Sequence, residues 1–242
     1  MGWKRGLWIL LALAVLPAAP GTAVATGGEA GDLLEKVVGA YGGERALSQV
    51  VVLRETGRVG SKMRGVEGEL LRVYRSPGDL RVEISYPGTE REVRVLSGKN
   101  GWRQGRPVSG PPFDAMVLQA ARLALPRNLL EAAGKVEDLG AVQRDGRSLR
   151  VLSFPLGEGI SMRVEIDPAT GRILRSAGRS ESGRGGMPGG IEFITEYGDF
   201  REVDGVLFPF REKNIAMGTH TGDTVLDRIE ILAAAPEGSF RQ

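Results

Sequence analysis

The side chains that most often carry chemistry are scarce in this 242-residue chain, which has no cysteine and a single histidine, His220. Thiol nucleophiles, thiolate-ligated metals and any site built on two imidazoles are therefore excluded. His220 lies in Gly218-Thr219-His220-Thr221-Gly222, which reads as a polar loop between strands without the neighbours a metal site needs. Ser161, in Gly159-Ile160-Ser161-Met162-Arg163, opens like a nucleophile elbow. The closing glycine is missing, and the segment has a strand pattern rather than a strand-to-helix turn. Gly183, Gly185, Gly186, Gly189 and Gly190 crowd one stretch, but no lysine-serine pair follows and no helix opens, as a phosphate cradle requires. Glu83, Glu165, Asp167, Glu192 and Glu196 could supply an acid and a base. Each instead has the spacing of a solvated strand face. No catalytic residue, metal or cofactor is assigned, and the chain is expected not to be an enzyme.

The elements that would position a site begin after an export signal. Lys4 and Arg5 precede an apolar run from Leu7 to Leu16, and Ala23-Val24-Ala25 ends the segment as a small-x-small cleavage site. Ten apolar residues are too few to cross a bilayer core, which needs about 20. Residues 1–25 are thus expected to be a signal peptide cleaved after Ala25, with 26–242 forming one domain. Lys4 and Arg5 account for the whole excess of 32 basic over 30 acidic residues. The chain after Ala25 is then electroneutral, which argues against a nucleic-acid partner.

Leu33, Leu34, Val37, Val38 and Tyr41 form a helical stripe with Asp32 as the expected N-cap, and Gly42-Gly43 stops it. From Val50 the period changes to two. Leu80-Arg81-Val82-Glu83-Ile84 and Ile160 to Asp167 alternate strictly, and Asp145-Gly146 and Asp204-Gly205 are hairpin turns. Asn100-Gly101 is expected to be another, just before Trp102. Residues 182–190 are expected to form a loop. The meander is interrupted by a mostly apolar segment from Phe113 to Ala133, read as two short helices joined at Pro126. About ten or eleven antiparallel strands result, and their apolar face needs the helices as cover. Ordinary core packing accounts for Trp102, Phe193, Tyr197, Phe208 and Phe210; a lined cavity under the helical cover is the alternative.

Several stretches together resemble the LolA-like periplasmic family, the outer-membrane lipoprotein-sorting proteins. They are Ala40-Tyr41-Gly42-Gly43-Glu44-Arg45-Ala46-Leu47, a strand ending in Thr56-Gly57, Gly98-Lys99-Asn100-Gly101-Trp102, Asp204-Gly205-Val206-Leu207-Phe208-Pro209 and Ile229-Glu230-Ile231. The resemblance implies a mainly β fold: a strongly curved antiparallel sheet, an incomplete β-barrel of about 11 strands, covered by an N-terminal helix and a central helical lid. It further implies a periplasmic carrier that holds the acyl chains of a lipoprotein or lipid between sheet and helices, for transport toward the outer membrane. The expected lining is Trp102, Phe113, Met116, Val117, Leu125, Met162, Val164, Phe193 and Phe208, with Pro126 as the lid hinge. Transport partners in the inner and outer membranes and a monomeric state are expected. Relatives latch the lid with a buried arginine; Arg122 and Arg127 are the candidates by position. The alternative is an envelope sensor that docks a protein partner without carrying lipid.

Overall fold

A computed structural model describes residues 27–157, 159–180 and 191–241. Two helices come first, α1 (Gly27–Ala40) and α2 (Gly43–Gln49). Six strands follow: β1 (Val52–Ser61), β2 (Val66–Arg75), β3 (Asp79–Ser85), β4 (Glu92–Ser97), β5 (Asn100–Arg103) and β6 (Arg106–Val108). Two more helices, α3 (Pro111–Leu123) and α4 (Leu125–Glu131), lead to β7 (Glu137–Arg144), β8 (Arg147–Gly157), β9 (Ile160–Ile166) and β10 (Ile173–Ser180). The chain finishes with β11 (Ile191–Val203), β12 (Val206–Ala216) and β13 (Thr219–Leu232).

All thirteen strands join one sheet in the order β6-β5-β4-β3-β2-β1-β13-β12-β11-β10-β9-β8-β7. Every neighbour is antiparallel, and each is adjacent in sequence except at one seam, where β1 pairs with β13 from Val52↔Leu232 to Ser61↔Gly222. The open edges are β6 and β7, and the chain between them is the α3–α4 segment. The helices therefore bridge the gap in an unclosed barrel, and α3 touches strands of both wings, β3 to β5 on one side and β9 to β11 on the other. A covered gap protects the edges that closure would otherwise remove.

The strand count exceeds the expected one because of the β5–β6 hairpin. Three residues containing Pro107 give no usable alternation, and proline is tolerated there because β6 is an edge. Its neighbouring turn is also shifted. Ser97 pairs with Asn100, so the turn is Gly98-Lys99, with Gly98 at φ +56°, and Asn100-Gly101 lies inside β5. Asp145-Gly146 and Asp204-Gly205 do form the tight hairpins read from sequence, all four residues at positive φ. Asp32 is an exposed residue within α1 rather than its cap, because the helix starts at Gly27 and carries Glu29 in its first turn, where an acid suits the helix dipole. The His220 segment is a strand rather than a loop: the turn is Met217-Gly218, and β13 starts at Thr219. Residues 1–25, expected to be a signal peptide, and the stretch at 182–190, expected to be a loop, lie outside the described residues.

Two glycines seat α3 on the wings. A Cβ on Gly101 of β5 would come within 2.9 Å of the Phe113 ring, and one on Gly178 of β10 within 2.3 Å of a Leu118 methyl. Both α3 side chains thus drop into gaps that any other residue would fill. At the other end, the Tyr41 hydroxyl accepts the buried Ile173 N–H at 3.1 Å, fixing α1 to β10. Gly171, at φ +71°, lets the β9–β10 turn approach α1 so closely that a Cβ would meet the Lys36 carbonyl oxygen at 2.7 Å.

Candidate functional site

The concave face is apolar where Leu80, Val82 and Ile84 of β3 and Phe154, Met162 and Val164 of β8 and β9 pack under the helices. Strand alternation brings a polar group into the same face. On β2, Arg72 lies between the buried Leu70 and Tyr74; on β1, Glu55 follows Leu53 by two; on β12, Glu212 follows Phe210 by two. Glu55 and Arg72 are direct cross-strand partners. Arg72 and Glu212 are three strands apart, about 14 Å on a flat sheet. Curvature brings them together: the Arg72 Nη1 and Nη2 atoms donate to the two Glu212 oxygens at 3.0 Å each. Arg72 Nε also stands 2.7 Å from Glu55 Oε2, a charge contact without the alignment of a hydrogen bond.

The two carboxyls differ in consequence. Burial pushes Glu55 above the usual carboxylate range; Arg72 offsets part of this and Glu212 adds to it. Burial acts in the same sense on Glu212, but the charge and hydrogen bonds of Arg72 outweigh it, helped by Arg122 and Thr224, and hold that carboxyl low. Burial also raises Tyr197, to about 12, although Arg122 and a 2.7 Å hydrogen bond with Ser176 oppose the rise.

Above this polar layer, between sheet and α3, is a cavity of about 340 Å³ lined by Arg72, Glu212, Asn214, Thr224, Gln119 and Arg122 among others. It adjoins a more apolar space of about 510 Å³ at the start of α3; Arg94, Ala115 and Phe193 line both. A groove of about 590 Å³ lies between the wings beside α3 and α4, against Leu96, Val117, Ala121 and Leu156. A small space of about 40 Å³ sits beneath the α3–α4 joint, against Leu125 and Phe208.

The residues singled out in sequence are spread over these places. Met116 lines the apolar cavity, Phe193 that cavity and its polar neighbour, Val117 the groove, and Leu125 and Phe208 the small space. Phe113 fills the notch at Gly101. Met162 and Val164 are packed in the core, and Trp102 is half-buried on β5 opposite Val95 and Pro107. Pro126 is the second residue of α4, after Leu125, and Ala124 alone separates the two helices. Arg127 donates to the Val50 carbonyl at 3.2 Å and to Glu131 at 2.7 Å, tying α4 to the chain entering β1. Glu165 departs from the solvated face expected of it: it is buried, between Arg144 and Arg175. His220 pairs with Asp223 at 3.0 Å. Among the described residues, no group of three or more His, Asp or Glu is placed to hold a metal, and no helix is long and apolar enough to cross a membrane.

Glu55, Arg72 and Glu212 were not singled out from sequence, yet a signal existed. Each is a charge on the strand parity otherwise occupied by buried apolar residues.

No family model matches the sequence, and no curated protein sequence does either. Among solved structures, the chain is similar to a LolA-superfamily protein from Nitrosomonas europaea, with 14% identity and a TM-score of 0.56 over 88% of this chain and 97% of that one. It is also similar to a DUF1329-family protein from Desulfovibrio piger, with 10% identity and a TM-score of 0.52 over 87% of this chain and 96% of that one. The chain thus shares the fold of these two structures, one of them a LolA-superfamily protein, along nearly its whole described length.

Proposed function

We propose that this protein is a carrier that holds the acyl chain of a lipid or lipoprotein between its concave sheet and α3. The observation that carries the reading is the pair of adjoining cavities, about 340 and 510 Å³, under a helix that bridges two open sheet edges. Both volumes fall within the range of about 300–1,000 Å³ typical of small-molecule sites. Each buried methylene would contribute about 0.8 kcal/mol to affinity. Release would need α3 to lift, with Pro126 as the hinge: proline donates no backbone hydrogen bond, so the joint is weaker there than a continuous helix. The basic-apolar-small pattern of residues 1–25 supports export to the periplasm with cleavage after Ala25, leaving 26–242 as one domain that works as a monomer. Transport toward the outer membrane would then require a donor in the inner membrane and an acceptor in the outer one. The reading is of a binding protein rather than an enzyme. The two buried carboxylates flank one guanidinium at 2.7 and 3.0 Å, an arrangement that neutralises charge rather than passes a proton.

The test is native mass spectrometry, with lipid extraction, of the mature chain purified from membrane-containing lysate. Bound acyl species are expected at up to one per chain. A mass corresponding to protein alone, together with a stoichiometric protein partner from periplasm, would replace the carrier with a sensor that docks an envelope protein.

A further inference from the structure

Four arginines line the two adjoining cavities: Arg72, Arg94, Arg103 and Arg122. Three are committed. Arg72 is held by Glu55 and Glu212, while Arg94 and Arg103 both pair with Glu92, at 2.8 and 3.1 Å. Arg122 is different. It is half-buried on the last turn of α3 and has no hydrogen bond or ion pair among the described residues, although its charge is felt by both Glu212 and Tyr197. Glu212 is already engaged by the two-pronged contact with Arg72.

Neutral donors accompany Arg122. Ala115, Gln119 and Arg122, spaced four and three apart, share one stripe of α3, and all three line the 340 Å³ cavity. Gln119 also forms no side-chain hydrogen bond among the described residues. Across the cavity, the Asn214 Oδ1 accepts from Thr195 at 3.0 Å, which directs that side chain's oxygen to the sheet and leaves its amide N–H groups for the cavity. A guanidinium and two amides thus converge on one space. A half-buried cation whose N–H groups have no acceptor is under-satisfied, and an anion that enters the cavity supplies one. The neighbouring 510 Å³ cavity continues the space in apolar form along Met116, Phe193, Val108 and Pro112.

We infer that the ligand is an amphiphile with an anionic head, carboxylate or phosphate, which Arg122 receives with Gln119 and Asn214 while the chain runs toward Met116 and Phe193. This rests on the carrier reading and narrows it, since a carrier of acyl chains alone would be indifferent to head charge.

The delipidated mature chain can be titrated with palmitate, cetyl phosphate and the neutral cetyl alcohol, all below their aggregation concentrations. Both anions are expected to bind about tenfold or more tightly than the alcohol, and their relative affinities identify the preferred head. Arg122→Gln should bring the anions down to near the level of the alcohol, and a circular dichroism spectrum and thermal transition matching the wild type's show that the variant is folded. Arg122→Lys should keep most of the preference. Equal affinities of the wild-type chain for anions and alcohol, or an unchanged ratio in R122Q, would overturn the anionic head alone. Binding of none of the three would overturn the carrier reading and this inference with it.

Discussion

Arg72 keeps two carboxyls out of water, and only one of them is well satisfied. Removing a single member of a buried charged group leaves its partners uncompensated, typically at about 3–5 kcal/mol. Arg72→Met is therefore expected to lose roughly that much stability in chemical denaturation. Glu55→Gln should do the opposite of what its burial suggests. The folded-state pKa of Glu55 lies above its unfolded value, so the folded protein binds the extra proton, and stability falls as pH rises from about 4.3 toward the folded pKa. Glu55→Gln removes that slope. The variant should match the wild type near the unfolded pKa and become the more stable of the two as pH rises through this window. Glu212, held low by Arg72, works in the reverse sense and loses its contribution only as pH falls through its folded pKa. A wild-type pH–stability curve parallel to that of E55Q would refute the assignment. The strand pattern could have disclosed these residues, because Leu70-Arg72-Tyr74 and Phe208-Phe210-Glu212 place charge on an apolar parity. That Arg72 would meet Glu212 could not be read from either strand, since the contact depends on sheet curvature.

Helix α3 is held as a plug chiefly by shape, with one buried polar tie in which the Ser180 hydroxyl of β10 donates to the Asp114 carboxylate. Phe113 enters the notch at Gly101, and Leu118 the one at Gly178, on opposite wings. Filling either notch should loosen α3 without disturbing the sheet seam. Gly178→Val is expected to cost about 1–3 kcal/mol, the usual penalty for overpacking. In hydrogen exchange it should speed the α3 amides while β1 and β13 keep their protection. Unchanged α3 exchange would mean that the notch does not hold the plug. The helical pair was readable from its apolar spacing and from Pro126, to within a few residues of the joint at Ala124. The role of Gly101 was not. In sequence, Asn-Gly is a strong turn signal, but here Gly98 takes the turn, and Gly101 is small because a phenyl ring from 12 residues away in the chain packs on it.

At the scale of the whole molecule, among the described residues β13 joins the two wings, through β1 on one side and β12 on the other. A chain ending at Ala216 should therefore show no cooperative thermal transition. A chain ending at Leu232 loses only the tail, whose contacts include the Arg75–Phe240 stacking at 4.5 Å and the Arg81 bonds to the Ser239 and Arg241 carbonyls. It should still unfold cooperatively at a modestly lower temperature in circular dichroism. Cooperative unfolding of the Ala216 chain would show that the wings are independent.

The sequence by itself determined what is local: period-two strands, the Asp-Gly hairpins, a helical interruption, and a composition without cysteine and with one histidine. These follow from steric and solvation preferences that act over a few residues. Only the tertiary structure decided the seam between the first and last strands, the meeting of Glu55, Arg72 and Glu212, and the cavity that Arg122 shares with Asn214. Apart from the Glu55–Arg72 pair, which belongs to the β1–β2 hairpin, those contacts join residues tens to more than a hundred positions apart. They depend on how far the sheet curves and on which gap the helices fill, and no short-range pattern records either.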